Sequence, residues 1–174
     1  MLHVDAAEYD RLGRAFARLP MEMRAKAFGR TMRRMNSMVR TRVVKRSSQR
    51  IKLAQKHIRE VYTMLNTGSD TLEHVVRSGW VPLIKMGARQ NTKGVSVRGR
   101  GTIAGGFIAT MASGHEGAFK RKTSRRTPIQ ELFGPNPASD IGNHPDVFAD
   151  VLAEVGNIHL APRLLHETLR LLPK

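Results

Sequence analysis

Gly94-Val95-Ser96-Val97-Arg98-Gly99-Arg100-Gly101-Thr102-Ile103-Ala104-Gly105-Gly106-Phe107-Ile108-Ala109-Thr110-Met111-Ala112 is the stretch that decides the fold class. Residues 94–98 and 106–112 are short runs of β-favouring residues on either side of a glycine-rich turn, too brief for helices. Upstream, Leu72-Glu73-His74-Val75-Val76 and Val81-Pro82-Leu83-Ile84-Lys85-Met86 read as two further strands. Ser78-Gly79, Asn91-Thr92-Lys93-Gly94, Arg100-Gly101 and Ser113-Gly114 supply the turns. No helix-length segment separates the runs, so the expected sheet is antiparallel. Pro82 has no N–H to give a ladder and belongs at a strand's start or edge.

Outward from this sheet the period changes to that of a helix. Residues 5–18 mix acids and arginines around Leu12 and Phe16 at helical spacing, and Pro20 punctuates them. Met21, Ala25, Phe28, Met32, Met35, Val39 and Val43 then recur at steps of three and four, one stripe of a long helix. The stripe suits either the chain's own sheet, expected over residues 72–120, or the seam of another helix. Towards the C-terminus, Pro145 takes a first-helical-residue position, with Val147, Phe148, Val151, Leu152 and Val155 behind it. Pro162 is expected to kink or interrupt that helix before Leu164, Leu165, Leu169 and Leu172 resume the stripe. The expectation is a single α+β domain: a helical basic region over 1–66, an antiparallel sheet over 70–120, a basic and proline-rich arm over 121–142, and a C-terminal helix over 143–174.

A chain of 174 residues with 40% hydrophobic content has enough apolar material for a core, built on aliphatic residues because only 5% is aromatic. Thirty Lys and Arg against 14 Asp and Glu give a formal charge of +16, which favours an anionic partner. The charge is uneven. Thirteen bases from Arg24 to Arg59 meet no acid before Glu60, so this helix forgoes the ion pairs of an ordinary solvated helix, roughly 0.2–0.5 kcal/mol each. From Thr127 onward, by contrast, six acids face three bases. Arg30, Arg33, Arg34, Arg40, Arg42, Lys45, Arg46 and Arg50, with a second cluster at Lys120, Arg121, Lys122, Arg125 and Arg126, are therefore candidates to face DNA or an acidic protein. A merely solvated basic face is the competing reading.

Pro128, Ile129, Leu132, Phe133, Pro135 and Pro137 form the candidate interaction arm. Its prolines restrict the free chain, and Ile129, Leu132 and Phe133 are spaced to share one face of a helical turn. Folding back onto its own domain is the alternative.

The sequence carries no complete catalytic motif. Gly99-Arg100-Gly101-Thr102-Ile103-Ala104 fits a relaxed dinucleotide fingerprint, but Gly105-Gly106 and a β-like run follow where a helix is required. Seven histidines include no i, i+4 pair of the H-E-x-x-H kind, and the absence of cysteine excludes disulfides and thiolate metal sites. No serine sits in a G-x-S-x-G elbow. The reading is a protein that is not an enzyme and uses no cofactor and no metal. No apolar run approaches the roughly 20 residues of a membrane span, and the first residues lack the features of a signal peptide, so neither a membrane partner nor export by that route is expected.

Three blocks carry a family likeness. They are Val81-Pro82-Leu83-Ile84 with Ala88-Arg89-Gln90 and Gly94-Val95-Ser96-Val97; Phe107-Ile108-Ala109-Thr110-Met111 with Ser113-Gly114-His115 and Gly117-Ala118-Phe119-Lys120-Arg121; and Pro128-Ile129-Gln130-Glu131-Leu132-Phe133-Gly134-Pro135. In order and spacing they resemble the minor tail protein Z family of long-tailed bacteriophages, over roughly residues 72–137. Asn136-Pro137 and Pro162 depart from the pattern. The resemblance implies a non-catalytic component of the head-proximal end of the tail, acting in tail completion and head–tail joining. Its implied partners are further copies of itself in a ring, taken as a hexamer, neighbouring tail-tube, tail-terminator or connector proteins, and genomic DNA in the channel. Its implied location is the virion, after assembly in the host cytoplasm. The competing class is a non-specific nucleic-acid-binding module, which exposed stacking aromatics or a recognition motif would mark.

Overall fold

The computed structural model describes residues 6–66 and 72–171; Asp5, Asp70 and Leu172, used above to bound elements, lie outside them. The chain is α+β, and it divides into two compact units that are both discontinuous in sequence, where the sequence suggested one domain. The first comprises residues 1–46, 62–76 and 141–174, and the second residues 47–61 and 77–140.

In the first unit, α1 (Ala6–Ala17) ends before Pro20, and Arg24 donates from Nε and Nη2 to the Leu19 and Ala17 carbonyls, satisfying acceptors that a helix end leaves open. α2 (Met21–Ile51) is the long basic helix, with its last turn counted in the second unit. Its buried line runs through Ala27, Thr31, Met35, Val39 and Val43, while Met21 and Ala25 at the head of the expected stripe are exposed and Phe28 and Met32 are half-buried. The burial therefore follows an i, i+4 row that slants around the helix, with Asn36 and Val44 buried beside it. α5 (Pro145–Leu171) starts at Pro145 and is helical through Pro162, without the interruption expected there. Phe148, Val151 and Val155 are its buried apolar residues in the first half, and α1 packs on this helix. The hairpin β1 (Tyr62–Asn66) and β2 (Leu72–Val76) completes the unit, with Tyr62 opposite Val76 and Met64 opposite His74. β1 falls inside the region expected to be helical, and the expected single sheet is thus split between the units.

The second unit holds the rest of the β-structure. α2 ends at Lys52, a non-glycine residue in the left-handed region at φ 50°, where Leu53 N–H donates to the Ser48 carbonyl and Ser48 Oγ donates to the Leu53 carbonyl. α3 (Gln55–Val61) follows. Residues 81–86, expected as a strand, form one bridge at Pro82 and then a 3₁₀ turn, Leu83–Met86, closed by left-handed Gly87. Pro82 cannot donate to a ladder, and Leu83 turns inward to the core instead. Two antiparallel three-stranded sheets follow, β3 (Arg89–Asn91), β4 (Gly94–Val97) and β5 (Gly101–Ala104) in one, β6 (Gly106–Thr110), β7 (Glu116–Arg121) and β8 (Ile129–Glu131) in the other. They adjoin along β6, where the Ile108 N–H donates to Gln90 Oε1 at 2.7 Å. The core consists of Leu83, Val95, Val97 and Ala118, with Met86, Ala88, Ile103, Ile108 and Leu132 packed on it. Gly94 is required at its position, because a Cβ there would run into the Ile103 carbonyl of β5.

The expected arm is part of this unit. Ile129 is in β8, paired opposite Arg121; Leu132 N–H donates to the Ala118 carbonyl at 2.7 Å, and Gly134 N–H to the Val81 carbonyl at 2.7 Å. The Pro135 carbonyl accepts from Val81 N–H, and buried Pro137 opens α4 (Pro137–Asn143). Pro128 is exposed at the entrance to β8. Backbone pairing and the burial of Leu132 outweigh the proline signal, so the segment is not a free arm; only Phe133, 47% exposed, keeps an outward apolar side chain.

Candidate functional site

Four of the eight basic candidates of α2 find counter-charges inside the chain. Arg42 donates to Glu154 Oε1 at 3.1 Å and lies 3.0 Å from His159 Nε2, while Arg46 reaches Glu154 Oε2 at 3.4 Å. Arg30 lies 3.8 Å from Glu167, a carboxylate only 1% exposed that Arg163 also binds at 2.9 Å. Pairing of Arg30 with the end of α5 and of Arg46 with its beginning sets the two helices antiparallel. Arg50, in the second unit, donates to buried Asp140 at 3.2 Å, and Ser47 Oγ donates to the same carboxylate at 2.8 Å. Arg40 donates to the Tyr62 carbonyl at 3.4 Å. Of the eight α2 candidates, Arg33, Arg34 and Lys45 keep exposed head groups without a carboxylate among the described residues. Arg33 donates only to the Gly29 carbonyl of its own helix. Four of the thirteen bases of the acid-poor stretch thus reach carboxylates of the acid-rich C-terminal segment, 90 or more residues away along the chain.

The second candidate cluster is exposed. Lys120 and Arg121 end β7, and the Arg121 guanidinium sits 5.1 Å above the Phe107 ring, a cation–π contact that covers that phenylalanine. Lys122, Arg125 and Arg126 project from the following bends. The two clusters belong to different units, Arg30 to Arg46 to the first and Lys120 to Arg126 to the second.

A third basic site, which the sequence reading did not single out, lies wholly within the second unit. A cleft of about 770 Å³ opens between the end of α2 with α3 on one side and the 3₁₀ turn with β3 and β4 on the other. Lys52 and Lys56 line the first wall, and Lys85, Arg89 and Arg98 the second. The placement follows from strand alternation: Val95 and Val97 point into the core, so Ser96 and Arg98 line the cleft, and Arg89 stands directly opposite Ser96 in the β3–β4 pair. Lys52 and Lys56 are four residues apart around the turn into α3. No carboxylate lines the cleft, and among the described residues none of these five cations has an ion-pair partner. His57, 5% exposed, is part of the lining, and its Nδ1 has no hydrogen-bond partner; Glu60 is 3.8 Å from that nitrogen.

Gly101–Ala104 of the glycine motif is strand β5, leading into β6 through left-handed Gly105. It lacks the helix that would receive a pyrophosphate. Among the described residues no three His, Asp or Glu side chains gather to hold a metal ion, and no helix is long and apolar enough to cross a membrane. Compared with family models, with curated proteins and with solved structures, the chain matches none.

Proposed function

We propose that the chain is a non-catalytic assembly protein, built to be covered by neighbouring subunits. Within that class we read it as a tail-completion component of the minor tail protein Z kind, a ring at the head-proximal end of a phage tail whose neighbours are tail-tube, terminator or connector proteins. The motif blocks support the finer reading. Six of their apolar members, Val81, Leu83, Val95, Val97, Ala118 and Phe119, are buried framework residues, and the blocks supply no catalytic constellation.

The observation that carries the reading is the apolar surface left outside. Trp80, 63% exposed, and Phe133 are uncovered in the second unit, and Ile158, Leu165 and Leu169 recur at helical spacing on the exposed side of α5 in the first. A chain carrying +16 keeps such residues exposed at some risk of aggregation, and a ring needs self-complementary or heterologous contacts of this sort. Sedimentation velocity of the full chain tests it. The wild type is expected to sediment as a discrete oligomer, and Leu165→Ser with Leu169→Ser as a monomer of nearly unchanged thermal stability. A wild type that stays monomeric at all concentrations, yet binds nucleic acid, would support the free-standing nucleic-acid-binding module instead.

A further inference from the structure

We propose that the cleft of the second unit is a phosphate-backbone site that grips one strand of a DNA duplex without reading its bases. The proposal stands apart from the assembly reading and does not depend on it.

Arg42, Arg46 and Arg50 are matched with carboxylates. In the cleft the chain does the opposite and converges Lys52, Lys56, Lys85, Arg89 and Arg98 on one concave space with no acid in the lining. Like charges gathered in this way repel one another, and a concave low-dielectric wall concentrates their field on whatever enters. An anion with several charges in a row answers that arrangement, while a cation or a metal ion has nothing here to bind it. The Ser96 hydroxyl adds a polar group of the kind that contacts phosphate oxygens. A volume of about 770 Å³ is far more than a lone phosphate fills, so the site suits a run of phosphates along a backbone.

The rest of the lining decides between nucleic-acid forms. Single strands are held by aromatic platforms on which bases stack. Leu53, Ala54, Met86 and Gly87 are the non-polar lining residues, and no aromatic ring other than His57 is among them. Contact with the outside of a duplex, where phosphates face solvent and bases are hidden, fits such a wall. A-form RNA presents the same phosphates, so duplex RNA shares the chemistry.

Binding of the full-length protein to a short labelled duplex DNA, followed by anisotropy across a salt series, tests the site. Lys85→Glu, Arg89→Glu and Arg98→Glu combined are compared with Arg33→Glu, Arg34→Glu and Lys45→Glu combined, which changes the net charge equally on the exposed face of α2. The cleft variant is expected to lose about tenfold or more in affinity, and its log–log salt slope to flatten by about 0.9 for each phosphate contact removed. The α2 variant is expected to lose less than about threefold, because its exposed, screened charges do not line the cleft. Lys85→Gln, Arg89→Gln and Arg98→Gln combined, which introduces no new acid, is expected to act in the same direction and serves if the glutamate variant melts early. Equal losses for the cleft and α2 variants would overturn the assignment, as would a cleft variant that binds like the wild type. Duplex RNA bound as well as DNA would keep the phosphate site and widen its ligand; a preference for single strands or for polyglutamate over duplex DNA would overturn it.

Discussion

Glu167 shows how single residues hold the first unit together. It is buried on α5, with Arg163 at 2.9 Å, Arg30 at 3.8 Å, Arg170 at 4.0 Å and His166 at 3.6 Å, so one carboxylate is surrounded by several cationic or titratable groups. Replacing it with Leu removes the acceptor and leaves partly exposed arginines to rehydrate; the expected loss is about 1–3 kcal/mol, read from the urea midpoint. Met35→Ala, at a buried position of α2, is expected to cost about 2–5 kcal/mol in the same assay, and Phe28→Ala less because Phe28 is only half-buried. In β1 and β2, Tyr62 Oη lies 2.7 Å from His74 Nδ1, and burial lowers the His74 pKa from its ordinary value while raising that of Tyr62 to about 12. With a depressed folded pKa, His74 contributes stability that is present above the unfolded value of about 6.5 and is lost as pH falls below it. The drop in melting temperature between neutral and mildly acidic pH should therefore shrink in His74→Phe; an unchanged drop would assign the acid sensitivity elsewhere. Tyr62 acts at the other end, with its contribution lost as pH rises from about 10 through about 12. The arginines of these pairs were visible in the sequence and their partners were not. Local i, i+4 bookkeeping looks along one helix, whereas Glu154, Glu167 and Asp140 come from the far end of the chain.

Elements were legible where a period runs long and hidden where pairing alone makes the strand. α2 and the Pro145 start of α5 follow from helical spacing and a proline preference, and β2, β4 and β6 from short β-favouring runs. β3 and β8 are only three residues each and have no pattern of their own, so their strand character comes from β4 and β7. The run from Val81 to Met86 misled because apolar content is shared by a strand and by a turn that buries Leu83. The 128–137 segment misled through its prolines, which stiffen a strand-and-turn connection as readily as an arm. Separate substitutions now distinguish its two faces. Leu132→Ser is expected to destabilise the second unit by about 1–3 kcal/mol, since Leu132 packs on the core, while Phe133→Ser leaves thermal stability nearly intact and lowers assembly. Equal destabilisation by both would make Phe133 a core residue.

At the scale of the whole molecule, the positive charge is divided into a matched part and an unmatched part. Four of the eight α2 arginines pair with carboxylates of α4 and α5, while the cleft, the bends at residues 122–126 and Arg33, Arg34 and Lys45 of α2 carry cations without such a partner among the described residues. Composition alone revealed the excess without its location, because Lys85, Arg89 and Arg98 form a site only once β3 and β4 pair and the 3₁₀ turn closes behind them. The exposed apolar residues, on α5 in the first unit and at Trp80 and Phe133 in the second, are the feature on which the proposed assembly role rests. Both features are what the proposed ring subunit at the head–tail joint calls for. Electron microscopy of virions carrying a gold-labelled copy of this chain tests that claim most directly. Label confined to the head-proximal end of the tail, in a ring-like projection, is the predicted result; virions without label, or label at the distal tip or over the capsid, would contradict it.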